Sequence, residues 1–215
     1  MKLPGLVLQP VERISEILFG LVMALTVTGA VSVATTDRVQ IRTMLFAALG
    51  CNLAWGIIDA GMYLMARLGE RGRNALSAKA VRATTDREAA WRIIADELTP
   101  LLSSLLQPVH LESVREEIER MPASELRPRL KSEDWWGALG VFVLVVLSTF
   151  PVVVPFIFIE DVRLALRVSN AFAVVLLFLC GFFFARYAGL QPWITGLFMV
   201  AIGIAMVSIT IALGG

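Results

Sequence analysis

The sequence predicts an all-α, polytopic membrane protein: five transmembrane helices with a helical cytoplasmic insert between the second and third. Three observations carry that prediction. Of 215 residues, 57% are hydrophobic and only 17% charged, with a mean hydropathy of +0.75, which is too apolar for a soluble domain of this size. Five segments, near 15–35, 42–66, 136–159, 164–187 and 191–213, are long and apolar enough to span a bilayer. Such a crossing takes about 20 mostly apolar residues over about 30 Å of hydrocarbon. One long polar stretch interrupts them, so the chain divides into 1–66, 67–134 and 135–215.

Taken in order, Met1 to Pro10 holds one Lys, a short apolar run and two prolines. That is not the pattern of a cleavable signal peptide, so the first apolar segment is expected to stay in the membrane. Helices 1 and 2 form a hairpin with an outer turn around Thr35–Gln40. Both are rich in small residues, among them Gly20, Ala24 and Gly29, then Gly50, Gly56 and Gly61. Small residues let backbones approach where no hydrophobic effect drives association, so this hairpin is expected to pack closely. In the insert, Ala90, Ile93, Ile94, Leu98, Leu101 and Leu102 recur at near-helical spacing over Asp86–Leu105. Pro108 breaks the chain, and a second short helix is expected over Leu111–Met121. Helix 3 contains Pro151 and Pro155, which free backbone carbonyls that neighbours must satisfy. The bend either lines a cavity or is a plain kink. Trp135, Trp136 and Trp193 read as interface anchors.

Composition excludes several classes. A net charge of +1 without a basic tail gives no case for nucleic-acid binding. Cys51 and Cys180 both fall in apolar segments and read as free, buried thiols. The one histidine, His110, rules out a multi-histidine metal site within one chain. No nucleophile elbow or phosphate loop is present, and the sequence is not read as an enzyme. Orientation follows Lys and Arg. One side holds Lys2, Arg13, Arg186 and the twelve Lys/Arg of 67–134; the other holds Arg38, Arg42, Arg163 and Arg167. The N-terminus and insert are therefore expected in the cytoplasm. With no targeting segment, a bacterial inner membrane is the simplest location.

Asp59 is the leading functional candidate, because it lies inside an apolar segment where a carboxylate costs roughly 2.5–3.5 kcal/mol to insert. Counting from the expected membrane edges puts Met23 about 13 Å deep in helix 1 and Asp59 about 12 Å deep in helix 2. The two are thus expected at one level. Glu16 precedes Met23 by seven residues and Asn52 precedes Asp59 by seven, each pair sharing a face, with Met62 just beyond. A stripe of carboxylates and thioethers suits Fe²⁺, with Mn²⁺ or Co²⁺ as alternatives. Equally, methionines fill gaps in cores, and an intramembrane acid can simply bond a neighbouring helix.

A second candidate lies in the insert. Glu112, Glu116 and Glu119 share one helix face, and Glu97 marks an earlier helix. Clustered carboxylates can hold a divalent cation. The spacings Glu112–Arg115 and Glu116–Arg120 also make ordinary surface ion pairs, and on residues alone that reading is favoured.

The arrangement resembles the vacuolar iron transporter family. Glu16–Leu21 followed by Leu25–Ala30 is similar to the family's first helix, and Asn52–Gly56 leading to Ala60–Tyr63 resembles its second. The Glu-containing insert falls where the family has a cytoplasmic metal-binding domain, and Pro151–Pro155 resembles the proline pair of its third helix. The resemblance implies a homodimer of five-helix protomers that exports Fe²⁺ or Mn²⁺ from the cytoplasm in exchange for protons. No permanently bound cofactor is implied; the partners are the metal ion, protons and membrane lipid. It also implies that Glu97, Glu112, Glu116 and Glu119 capture metal before transfer. Met23 stands where the family carries an Asp, and Asp59 at or beside the family's Met, so the two ligand chemistries are exchanged between facing helices. The rival reading is a membrane scaffold or regulator that keeps the fold without transport.

Overall fold

The structure, a computed structural model, describes residues 10–34 and 38–212. Residues 35–37 of the expected outer turn, and Lys2, lie outside the described residues. The described residues form helices and no strand. In chain order these are α1 (Pro10–Ala34), α2 (Arg38–Ala83), α3 (Arg87–Asp96), α4 (Pro100–Leu105), α5 (Pro108–Arg120), α6 (Ser132–Phe158), α7 (Val162–Ala188) and α8 (Pro192–Ala212). Among the described residues four helices are long and apolar enough to cross a membrane, and Ile14–Thr26 of α1 is a shorter apolar stretch. This is a helical membrane protein. Its residues form two compact units, Met1–Tyr63 with Trp135–Gly215, and Leu64–Asp134.

In the first unit, glycines set the helix contacts. A Cβ at Gly20 would overlap Ser148 Oγ and the Val145 carbonyl, so α1 lies directly on α6 there. Gly56 brings α2 onto Phe142 and Val146 of α6. On the far side, Gly181 meets the Thr195 carbonyl and Gly196 meets Phe178, which seats α7 on α8. Trp193 packs on Phe178 and Phe182 with ring centroids 5.6 and 5.5 Å apart. Leu21, Ala24, Leu25, Val152, Ala173 and Leu177 form a core shared by α1, α6 and α7. Pro151 and Pro155 sit inside α6. Beside them, Ser169 of α7 donates to the Val152 carbonyl at 2.6 Å, supplying a donor in the region the prolines disrupt. Helix α7 begins at Asp161, which accepts from Leu164 N–H at 3.0 Å, and ends at Gly189 with φ 72°. A left-handed residue there closes the helix at little cost only when it is glycine. Both cysteines are free; Cys180 is buried, but Cys51, expected to be buried, lies on the exposed face of α2.

Helix α2 does not stop at the end of its apolar segment. It runs on to Ala83, because 73–83 is rich in Ala, Leu, Arg and Lys, all good helix formers. Gly69 and Gly72 weaken this stretch by about 1 kcal/mol each relative to alanine, yet neither breaks it. The single helix expected over Asp86–Leu105 is instead two, α3 and α4. Pro100 cannot donate its backbone hydrogen bond within a helix and disfavours helical backbone at Thr99, so it opens a new helix. The Leu64–Asp134 unit has its own small core of Val81, Ala90 and Ile94, backed by Leu111 and Ile118. His110 is accounted for by capping: its Nδ1 accepts the Gln107 N–H at 3.2 Å, half of a reciprocal cap at the start of α5. Arg82 reaches from α2 to the other end of α5 and donates to the carbonyls of Ile118, Glu119 and Met121. A cation there also complements the helix dipole.

Arg71 ties the unit together. It grips Asp134 through both guanidinium nitrogens, at 2.5 and 3.0 Å, and donates to the Arg129 carbonyl. The Asp134 side chain is 6% exposed and that of Arg71 27%. Removing one partner of a fully buried pair costs about 3–5 kcal/mol, so Arg71→Ala, whose side chain is partly solvated, should cost about 2–3 kcal/mol. Thermal unfolding of the purified protein in detergent should show this as a lower melting temperature. The double variant Arg71→Ala/Asp134→Asn should recover part of the loss. Equal instability of single and double variants would place the effect elsewhere.

Candidate functional site

Helices α1, α2 and α6 also assemble polar groups of the first unit. Asn52 of α2 is 1% exposed. Its Nδ2 donates to the Val145 carbonyl of α6 at 3.1 Å, and Ser148 Oγ donates to the same oxygen at 2.7 Å. Asn52 Oδ1 is buried and finds no donor among the described residues. Beside it lies a cavity of about 10 Å³ bounded by Met23, Leu45, Leu49, Asn52, Thr149 and Val153. That is about the room one water needs. Thr149 contributes a hydroxyl that donates to the Val146 carbonyl at 2.7 Å. An unpaired buried acceptor costs about 1–3 kcal/mol. An unpaired oxygen is thus kept on a residue that borders a cavity within an apolar bundle.

The structure changes the register expected from counting. Met23 borders the cavity with Asn52, not with Asp59. Contacts along α6 explain why. Leu45 of α2 packs with Val153, Asn52 bonds Val145 and Gly56 meets Phe142, so α2 runs antiparallel to α6. Gly20 of α1 meets Val145 and Ser148, while Leu21 and Leu25 cluster with Val152, so α1 runs parallel to α6. Helices α1 and α2 are therefore antiparallel. Seven residues, about 10 Å at the helical rise, separate Met23 from Glu16 and Asn52 from Asp59. The level that Met23 shares is that of Asn52, and the same seven-residue step brings Glu16 to about the level of Asp59. Asp59 is half-buried, on the α2 face that carries Asn52 and Gly56, and makes no ion pair or hydrogen bond among the described residues. Glu16 is half-buried too, whereas Met62 is 61% exposed and points away from this stripe.

Of the four candidate acids of the second unit, Glu112, Glu116 and Glu119 are held by arginines. Glu112 is bridged by Arg87 of α3 at 3.1 Å and by Arg115 at 3.4 Å, and accepts from Trp91 Nε1 at 2.8 Å. Arg115 also pairs with Glu119 at 3.0 Å, and Arg120 pairs with Glu116 at 3.1 Å. Glu97 accepts from Ser77 Oγ at 2.5 Å. Among the described residues no three His, Cys, Asp or Glu side chains form a group able to hold a metal ion. Sequence reasoning missed the arginine from α3 and the hydroxyl pair of α6. Ser148–Thr149, two polar residues just before Pro151 in an apolar run, was the available sign of the latter.

The family model described as the VIT family matches residues 68–215. That is more than half of the chain. The chain belongs to the VIT family. Membership assigns this VIT-family chain, one of the vacuolar iron transporter kind, to metal-ion transport as a class. The matched residues take in Glu97, Glu112, Glu116 and Glu119, while Glu16, Met23, Asn52, Asp59 and Met62 precede them. No curated protein matches the chain.

Asn52→Leu removes both the unpaired Oδ1 acceptor and the Nδ2 bond to Val145, so the gain and the loss should largely offset and the melting temperature of this VIT-family protein should change little. A fall of more than roughly 5 °C, the shift that about 1–2 kcal/mol produces in a chain of this size, would make Asn52 a structural cross-link instead.

Proposed function

We propose that this protein exports Fe²⁺ or Mn²⁺ from the cytoplasm, in exchange for protons, through a path that passes Glu16, Asp59, Met23 and Asn52. Family membership supports metal-ion transport, and the stripe of polar and thioether groups inside an apolar bundle is the observation that carries the path. Hard carboxylate oxygens with one soft sulfur suit a divalent first-row metal. Glu16 and Asp59, at about one level on facing helices, would take the ion first. Met23 and Asn52 would take it next, one seven-residue step deeper.

In this reading five helices cross the membrane, α1 included. The N-terminus and the Leu64–Asp134 unit face the cytoplasm, as the Lys/Arg distribution favours, and the simplest membrane is a bacterial inner membrane. The working form is a homodimer. The cytoplasmic unit would offer Glu97, Glu112, Glu116 and Glu119 to incoming metal, which must displace Arg87, Arg115 and Arg120 to reach them. Proton exchange would reside in Asp59, whose carboxylate holds either a proton or part of the metal's charge. The arginine pairing of the acidic face favours the second reading, a scaffold with the family fold and no transport.

Fe²⁺ and Mn²⁺ flux into proteoliposomes under an imposed pH gradient tests this. Wild-type protein should carry at least one of the two metals, and Asp59→Asn should abolish pH-driven flux. Metal flux that the variant leaves intact, with the same pH dependence, would remove Asp59 from the mechanism. No flux of either metal from folded, reconstituted protein would favour the scaffold.

A further inference from the structure

The Leu64–Asp134 unit contains a cavity of about 950 Å³ that the metal path does not use. Its size lies at the upper end of the range of about 300–1,000 Å³ typical of small-molecule sites. One wall is apolar, formed by Ile94, Val114 and Ile118 from α3 and α5. The lining is also basic: Arg127, Arg129 and Lys131 all border the cavity. Arg127 and Lys131 make no side-chain hydrogen bond or ion pair among the described residues, and Arg129 makes one long contact, to the Ser124 carbonyl at 3.4 Å. Two acids also border the cavity: Glu97 is engaged by Ser77, and Glu125 offsets one of the three positive charges, which leaves an excess of two. The site therefore joins an apolar body to an uncommitted positive edge.

The chain fixes what such a site can reach. Lys131 immediately precedes Ser132, the first residue of α6, whose apolar run is long enough to cross a membrane. Trp135 and Trp136 follow within a turn and are 60% and 64% exposed. Exposed tryptophans at the start of a spanning helix mark the headgroup layer, and Lys131 of the basic edge precedes Trp135 by only four residues of chain. A Lys/Arg cluster directly beside a spanning helix attracts anionic lipid.

We propose that this cavity binds an anionic phospholipid drawn from the membrane the protein spans. An acyl chain lies against Ile94, Val114 and Ile118, and the phosphate is held by Arg127, Arg129 and Lys131. The proposal is independent of whether the protein moves metal.

Its test is titration of the purified full-length protein, in a neutral detergent, with phosphatidylglycerol bearing a fluorophore on one acyl chain. Binding should saturate, and unlabelled phosphatidylglycerol should displace the probe while phosphatidylcholine and glycerol phosphate should not. The triple variant Arg127→Gln/Arg129→Gln/Lys131→Gln, altered only at exposed or loop positions, should weaken binding about tenfold or more, given three lost lysine or arginine charges. Ala78→Trp, which fills the cavity from α2, should weaken it comparably in protein that keeps its circular dichroism spectrum. Equal displacement by phosphatidylcholine, or full binding by the triple variant, would reduce the lipid to an annular neighbour and overturn the proposal. So would absent probe binding together with a change in oligomer mass in Ala78→Trp. That result would give the cavity to a second copy, whose Leu101, Leu102 and Leu105 on α4 are exposed.

Discussion

The first unit depends on the close approach of α1 and α2 to α6 around one carbonyl, that of Val145. Lipid is as apolar as leucine, so helices in a bilayer gain little by burying leucines against one another. They gain by packing backbones closely and by sharing hydrogen bonds. Gly20 and Gly56 permit that packing on α6, and the Val145 oxygen receives donors from Ser148 and from Asn52 of the neighbouring helix. Once those contacts are made, the position of everything else on the two helices follows. Met23 comes to Asn52, Thr149 comes to the cavity, and Asp59 is left on the same face of α2, two helical turns away.

That dependence explains which parts of the molecule were legible in the sequence. Long apolar runs separated by charge show spanning helices directly, because length against bilayer thickness is a strong constraint. The small residues of α1 and α2 were readable as contact positions for the same reason. The depth of Asp59 was not, because counting needs an edge to count from. Arg67 looks like the end of a membrane helix, but α2 passes through it to Ala83 without a cap or a break. With no physical stop at that point, the assumed depth had no anchor, and Met23 was set opposite Asp59 instead of Asn52. Pro100 presents the converse case. The apolar spacing of Asp86–Leu105 suits one helix, yet the ring of a single proline divides it.

The acidic face of α5 shows a different limit. The spacing of Glu112, Glu116 and Glu119 places them together, and Arg115 and Arg120 within the same helix were visible as partners. Arg87 was not, because it arrives from α3 through the packing of Ala90 and Ile94. Trp91, on the same helix, completes the hold on Glu112 with a neutral donor. A carboxylate bridged by two guanidinium groups and an indole is well satisfied, so a metal ion gains there only what its own charge offers beyond theirs. If the proposed transport holds, such a face would suit transient capture better than tight storage, with the returning arginines displacing the cation.

In the transport mechanism proposed above, the level shared by Glu16 and Asp59 would give proton exchange a physical basis. A carboxylate facing a methionine needs no second cation. Two carboxylates at one level on facing helices repel each other strongly where the dielectric constant is low. Positive charge placed between them relieves that repulsion, and two carriers can supply it: a proton on one carboxylate, or a divalent ion shared by both. These occupants exclude each other, because the metal needs the oxygen lone pairs that the proton takes. In the proposed mechanism, competition for the two acids would couple the two ions without any moving gate. Deeper along the stripe, Met23 and Asn52 present only neutral ligands. On the proposed path, an ion that left the acids for them would give up charge neutralisation, which would keep its stay short and favour passage over retention.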